Sequence, residues 1–320
     1  MKKKLLGIPL YWFLIVFAVA IIGILFGSFF DKSLSDAVAN SHNGFGMFVE
    51  TYGESLAYGV AIIGAVLAWL GLWKRKAIWQ KILGWAILVA GTIVMVYMLG
   101  DSFYGNPNSN EVLYGFRISN AFLAFFVAFL ILAFIGVITF LLADKSESKY
   151  NDLLRIGLIM IAAMLLQWGL MHFLKQIGGR PRWRFLYEIG GIWEGQPYDY
   201  QNWWEFAWFK NPKLDYFKSW PSGHTATAAL VMLIGLFPRV LKKNFKHSEL
   251  ILGCCGFAYA IIVAIARILA GAHFLADVSF GMLVGSLSAF LCVFVGSKIF
   301  PSKESPEVTE EPAKEEPAQE

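Results

Sequence analysis

The sequence predicts an all-α fold, a polytopic transmembrane bundle of about eight spans. Three observations carry this. Of 320 residues, 57% are hydrophobic and only 16% charged, where soluble domains average about 25% charged. Seven apolar runs reach or approach the roughly 20 residues that cross a bilayer, and an eighth falls short. Lys and Arg are concentrated in alternate loops, as in membrane proteins. The net charge is +4 with the basic residues at segment ends, which fits membrane orientation better than nucleic-acid binding.

The spans follow in order. Tyr11–Phe30 holds no charge and comes after Lys2, Lys3 and Lys4. That start could belong to a signal peptide, but the run is long and no small-residue cleavage site follows, so an uncleaved span is expected. Leu56–Trp73, Ile82–Leu99 and Ile118–Ala143 complete an N-terminal region of four spans over residues 1–150. Ile156–Leu174 opens a second group of four over residues 151–300, closed by Leu250–Ala266 and Val278–Gly296. Between them, Thr225–Phe237 is too short. It becomes a span only if it runs from about Ser222 to Leu241, with Arg239 snorkelling. With eight spans the basic clusters near Lys74, Lys145 and Lys242 share a side with both termini. The rule places that side in the cytoplasm and residues 175–220 outside. Residues 301–320 are rich in Glu and Pro, and disorder is expected there. Cys254, Cys255 and Cys292 lack metal-ligand spacing and are read as small core residues.

The external segment is crowded with aromatics, Trp183, Trp193, Trp203, Trp204 and Trp208 among them. Such rings favour the bilayer interface. The segment is expected on the outer leaflet, either as an anchoring belt or as a wall for a lipid substrate.

Three stretches with chemical potential fall on that same outer side. "KQIGGRPRW" offers Lys175, Arg180 and Arg182. "PSGH" places Ser222, Gly223 and His224 where a helix begins, a position suited to an anion, although Ser as an ordinary cap fits equally. "ARILAGAHFLAD" carries Arg267, His273 and Asp277. Four residues apart, His273 and Asp277 would share a helix face. Asp277 could then accept the proton of one ring nitrogen and leave the other free to attack. Lys175, Arg182 and Arg267 together suit a phosphate dianion.

These residues resemble the type 2 phosphatidic acid phosphatase (PAP2) family, which shares its site with vanadium haloperoxidases. Its motifs read K-x6-R-P, P-S-G-H and S-R-x5-H-x3-D. Lys175 with Arg182, Pro221 to His224, and Arg267 with His273 and Asp277 match them in order and spacing. Trp183 stands where the family has Pro, and Ala266 where it has Ser. The resemblance covers about Leu174–Val278 and implies a PAP2-type helical core in the C-terminal half. It also implies a mechanism: His273 forms a phosphohistidine, Asp277 orients it, and His224 protonates the leaving oxygen and then activates water. Lys175, Arg182, Ser222, Gly223 and Arg267 hold the phosphate, and no metal or cofactor is called for. A lipid phosphate substrate at the outer face is the expectation. A phosphotransferase on the same site is the near alternative. A transporter fits less well, because the span centres hold almost no ionisable groups. Spacing selects Arg182 over Arg180, and Arg180 is expected at the solvated rim.

Overall fold

A hairpin of β1 (Lys4–Leu5) and β2 (Ile8–Pro9) leads into helix α1 (Leu10–Val38). The computed structural model describes residues 4–105, 116–208, 214–243 and 245–299, so the tail expected to be disordered lies outside the described residues. Helices α2 (Gly44–Tyr52), α3 (Ser55–Trp73), α4 (Ile78–Phe103) and α5 (Ala121–Leu142) make up the rest of the first half. The second half holds α6 (Tyr150–Gly178), the short α7 (Trp183–Tyr187), and a hairpin of β3 (Ile192–Trp193) and β4 (Gln196–Pro197). Helix α8 (Gly223–Ala229) follows, continued by a 3₁₀ stretch over Leu230–Val240, and then α9 (Ser248–Leu269) and α10 (Leu275–Ile299).

Eight helical segments among the described residues are long and apolar enough to cross a membrane, the weak sixth included as Gly223–Val240. In hydrocarbon the backbone must satisfy its own polar groups, and the helix is the local way to do so. Side chains fix several boundaries. Asn43 Oδ1 accepts the Gly46 N–H at 2.8 Å, and Asn120 Oδ1 accepts the Leu123 N–H at 3.0 Å. The second cap starts the fourth span at Ala121 rather than Ile118, whose N–H instead donates to Phe103 O at 2.8 Å. The second span is longer than expected, because α2 precedes α3 across Gly53 and Glu54. Helix α1 also continues beyond Phe30 to Val38 and carries Asp31 with it.

The two halves are packed into each other. Helix α1 lies along α10, and α3 lies along α6. The second and sixth spans bury 83% and 78% of their apolar windows, against 17% for the third and fourth, so α4 and α5 are the peripheral pair. Helices α8 and α10 touch backbone to backbone: a Cβ at Gly281 would collide with the Ser222 carbonyl. Cys254 and Cys255 are exposed on α9, and Cys292 is only partly buried, contrary to the core placement expected for all three. In a bilayer the lipid-facing surface is as apolar as the core, so hydrophobicity alone does not separate the two.

Charged loops meet at the end of the bundle opposite Lys175. Lys149 Nζ donates to Arg239 O at 3.0 Å, Arg75 Nη2 to Asn151 Oδ1 at 2.5 Å, and Lys242 Nζ to Leu141 O at 2.8 Å.

Candidate active site

Four helix ends converge at the Lys175 end. Helix α6 reaches Lys175 in its last turn and stops at Gly179, whose left-handed backbone (φ +60°) turns the chain toward Arg180 and Arg182. Helix α8 begins at Gly223, capped by Ser222. Arg267 occupies the last turn of α9, and Gly271 (φ +62°) then redirects the chain through His273 into α10.

The motif side chains meet there. The Lys175 stem passes beside Gly223, where a Cβ would lie 3.5 Å from Cε, and Nζ donates to Lys218 O at 2.8 Å. Arg182 donates to Asp215 through Nε (2.8 Å to O) and Nη2 (2.9 Å to Oδ1). Its Nη1 donates to Ala272 O at 3.1 Å and lies 3.5 Å from His273 Nε2. His273 Nδ1 donates to Ser219 O at 2.6 Å. A carbonyl only accepts, so the hydrogen sits on Nδ1 and the Nε2 lone pair faces Arg182, from which it accepts a long bond of 3.5 Å. Burial, and then the charges of Arg182, Arg267 and Lys175, hold His273 well below the usual histidine range. It is therefore neutral at pH 7.

His224 approaches from the other side. Its Nε2 lies 3.1 Å from Glu50 O and 3.8 Å from Glu54 Oε2. The carbonyl again fixes a hydrogen on the bonded nitrogen, so Nδ1 is left to take a proton and, once the ring is an imidazolium, to give it. Ser222 Oγ accepts the Thr225 N–H at 3.4 Å and its backbone N–H donates to Asp277 O at 2.9 Å, so both groups are engaged in structure.

Two expectations are corrected. Asp277 does not bond His273. Helix α10 begins only at Leu275, so His273 precedes it and is not stacked one turn below Asp277. The Asp277 carboxylate instead accepts from Phe274 N (2.9 Å), Ser219 Oγ (2.6 Å) and Arg180 Nη1 (2.6 Å). It reaches the imidazole only through Ser219, whose Oγ it holds and whose carbonyl holds His273. Arg180 is not at a solvated rim either. It is 1% exposed, and its Nη1 bonds both Asp277 Oδ1 and Asp31 Oδ2, the latter at 3.0 Å. Two carboxylates converging on one guanidinium draw it inward.

Several residues of the site carry no sequence pattern. Asp31, from α1, also accepts the Ala276 N–H at 2.7 Å. Glu50, from α2, bonds Arg184 at 2.8 and 3.0 Å and lies 2.9 Å from Arg267 Nη1. Asp215 pairs with Arg182; against the burial that would raise it, Arg182 and Arg184 hold its carboxyl below the usual carboxylate range. One signal was available: acidic residues bordering apolar runs are costly and seldom idle, and Asp31, Glu50 and Glu54 all border one. Trp183, in place of the family's Pro, opens α7 and donates from Nε1 to Asp36 Oδ1 at 2.8 Å.

Around His273 and His224, the cations Lys175, Arg182, Arg184 and Arg267 outnumber the carboxylates Glu50, Glu54 and Asp215. The net positive charge suits an anion. The PAP2 superfamily family model matches residues 153–300. Residues 153–300 are a PAP2 superfamily domain. No curated protein and no solved structure matches the chain. PAP2 membership points to phosphatase activity, and the PAP2 domain lies in a chain with eight apolar helices of membrane-spanning length.

Proposed function

We propose that the chain is a membrane lipid phosphatase that hydrolyses a phosphate monoester or diphosphate of a lipid through a phosphohistidine. The observation that carries this is the fixed tautomer of His273: Nδ1 is committed to Ser219 O at 2.6 Å while Nε2 faces Arg182. Nε2 attacks phosphorus, a P–N bond forms, and the bond from phosphorus to the lipid oxygen breaks. His224, entering the step as the imidazolium with its Nε2–H held by Glu50 O, gives its Nδ1 proton to that oxygen. A water then attacks phosphorus and passes a proton to His224 while the P–N bond breaks, releasing phosphate and restoring both histidines. Lys175, Arg182 and Arg267, with the Gly223 backbone, stabilise the charge on the transferring group.

The aromatic segment fits a substrate delivered from the bilayer. Trp203, Trp220, Phe206 and Phe280 form a ring cluster over the site end of the bundle, with centroid separations of 4.7–5.2 Å. Trp204 and Trp208 stay exposed. The Lys and Arg bias of the loops supports an extracytoplasmic site with both termini in the cytoplasm. Phosphate release by the purified protein is the test. Phosphatidic acid, phosphatidylglycerol phosphate and polyprenyl mono- and diphosphates form the panel. Release from at least one is expected, and release from none overturns the reading.

A further inference from the structure

Glu50 is a buried carboxylate inside a site built for an anion. It comes from α2, outside the PAP2 domain, and is 4% exposed. Its side chain bonds Arg184 through both oxygens, at 2.8 and 3.0 Å, and Oε2 also lies 2.9 Å from Arg267 Nη1. Its main-chain oxygen lies 3.1 Å from His224 Nε2. One residue therefore touches a phosphate-motif arginine and the second histidine together. Among the described residues neither Nε nor Nη1 of Arg267, both buried, has a hydrogen-bond partner, and Glu50 holds Nη1 as an ion pair at 2.9 Å. An N–H in that state is available to an anion, while Glu50 takes another part of the same guanidinium.

Two roles are conceivable for such a carboxylate. A competitor would occupy the anion's place and leave when substrate enters. A support would fix the arginine from behind. The geometry favours support. Glu50 is tied twice to Arg184, its own backbone is engaged with His224, and a carboxylate so anchored is not free to withdraw. Gly46 permits the arrangement, because a Cβ there would lie 3.0 Å from Ala270 Cβ and 3.1 Å from Ala270 N, so α2 sits directly on the end of α9.

We propose that Glu50 is a positioning residue of the PAP2 site: its carboxylate sets Arg267 and its carbonyl sets His224, so the site is completed by the N-terminal half of the chain. This rests on the phosphatase reading for its turnover arm only. The test uses full-length protein with Glu50→Gln, which keeps the side-chain shape and removes the charge. Turnover of the best lipid phosphate should fall by about thirtyfold or more, in the range that misplacement of a group produces. Vanadate affinity, measured by calorimetry, should stay within about threefold, since the lost charge and the lost alignment act in opposite directions on an anion. Glu50→Asp should recover part of the turnover.

A double-mutant cycle supplies the arm that needs no turnover. Arg267→Lys should weaken vanadate by about tenfold in the native background and by less than about threefold beside Glu50→Gln, because its alignment is already lost. Additive losses overturn the proposal. Higher turnover in Glu50→Gln overturns it in favour of a competitor. Parallel loss of turnover, vanadate binding and thermal stability overturns it in favour of a purely structural role. A native protein that binds vanadate and shows the coupling but releases no phosphate from lipids removes the phosphatase reading and leaves the positioning of Arg267 standing.

Discussion

Arg180 and Asp277 form a buried ion pair, with Nη1 2.6 Å from Oδ1 and neither side chain more than 1% exposed. Asp31 closes the pair from α1 at 3.0 Å. Arg180 is thus a strut, whereas Arg182, two residues on, stands beside the His273 imidazole, Nη1 3.5 Å from Nε2.

The two arginines should fail in different ways. Arg180→Ala leaves two carboxylates buried without their cation, at a cost of about 3–5 kcal/mol. A drop in thermal stability and in folded yield is expected. Arg182→Ala should lower the melting temperature less than Arg180→Ala, because its partner Asp215 is half exposed, and lose about 10²–10³ in turnover, the usual cost of one donor to the transferring group. Melting curves and kinetics of the two variants at matched expression decide it; full stability in Arg180→Ala would remove the strut.

The nucleophile can be trapped. With a ³²P-labelled lipid phosphate and an alkaline quench, the native protein should carry label on His273. His273→Ala should carry none and turn over at least about 10³ more slowly. His224→Ala should still take up label from a substrate with a good leaving group but release it slowly. Label retained in His273→Ala would place the nucleophile elsewhere.

The pH dependence has a definite sign. A histidine held below its usual value of about 6.5 gains no proton as pH falls through that value, so the lone pair persists. Once corrected for the second ionisation of the substrate, kcat/KM should show no acid limb near 6.5 from His273. Replacing Lys175 by Gln removes one of the charges that hold the imidazole down, and the acid limb should move to higher pH. An acid limb at the ordinary histidine value in the native protein would contradict the burial and charge argument.

Sidedness is open to labelling. In a cysteine-free background, Gln196→Cys should react with an impermeant maleimide in intact cells, and Ser148→Cys only after lysis. Both positions are exposed. The reverse pattern would turn the site toward the cytoplasm.

By itself the sequence determined the membrane class, the eight spans and the motif residues, because each depends on local rules. Apolar length makes a span, loop charge orients it, and Lys175, Arg182, Ser222 to His224, Arg267, His273 and Asp277 keep short spacings that survive as a string. Only the tertiary structure decided which groups complete and neutralise the site. Asp31 meets Arg180 across 149 residues and Glu50 meets Arg184 across 134. Those meetings follow from how α1 lies on α10 and α2 on α9. Close approach sets that packing: a Cβ at Gly27 would lie 2.6 Å from Ala276 N. The structure also separated Asp277 from His273, since the start of α10 at Leu275 is set by its contacts with Asp31 and Ser222. A buried cation requires a counter-charge, but nothing along the chain says which carboxylate the packing will bring to it.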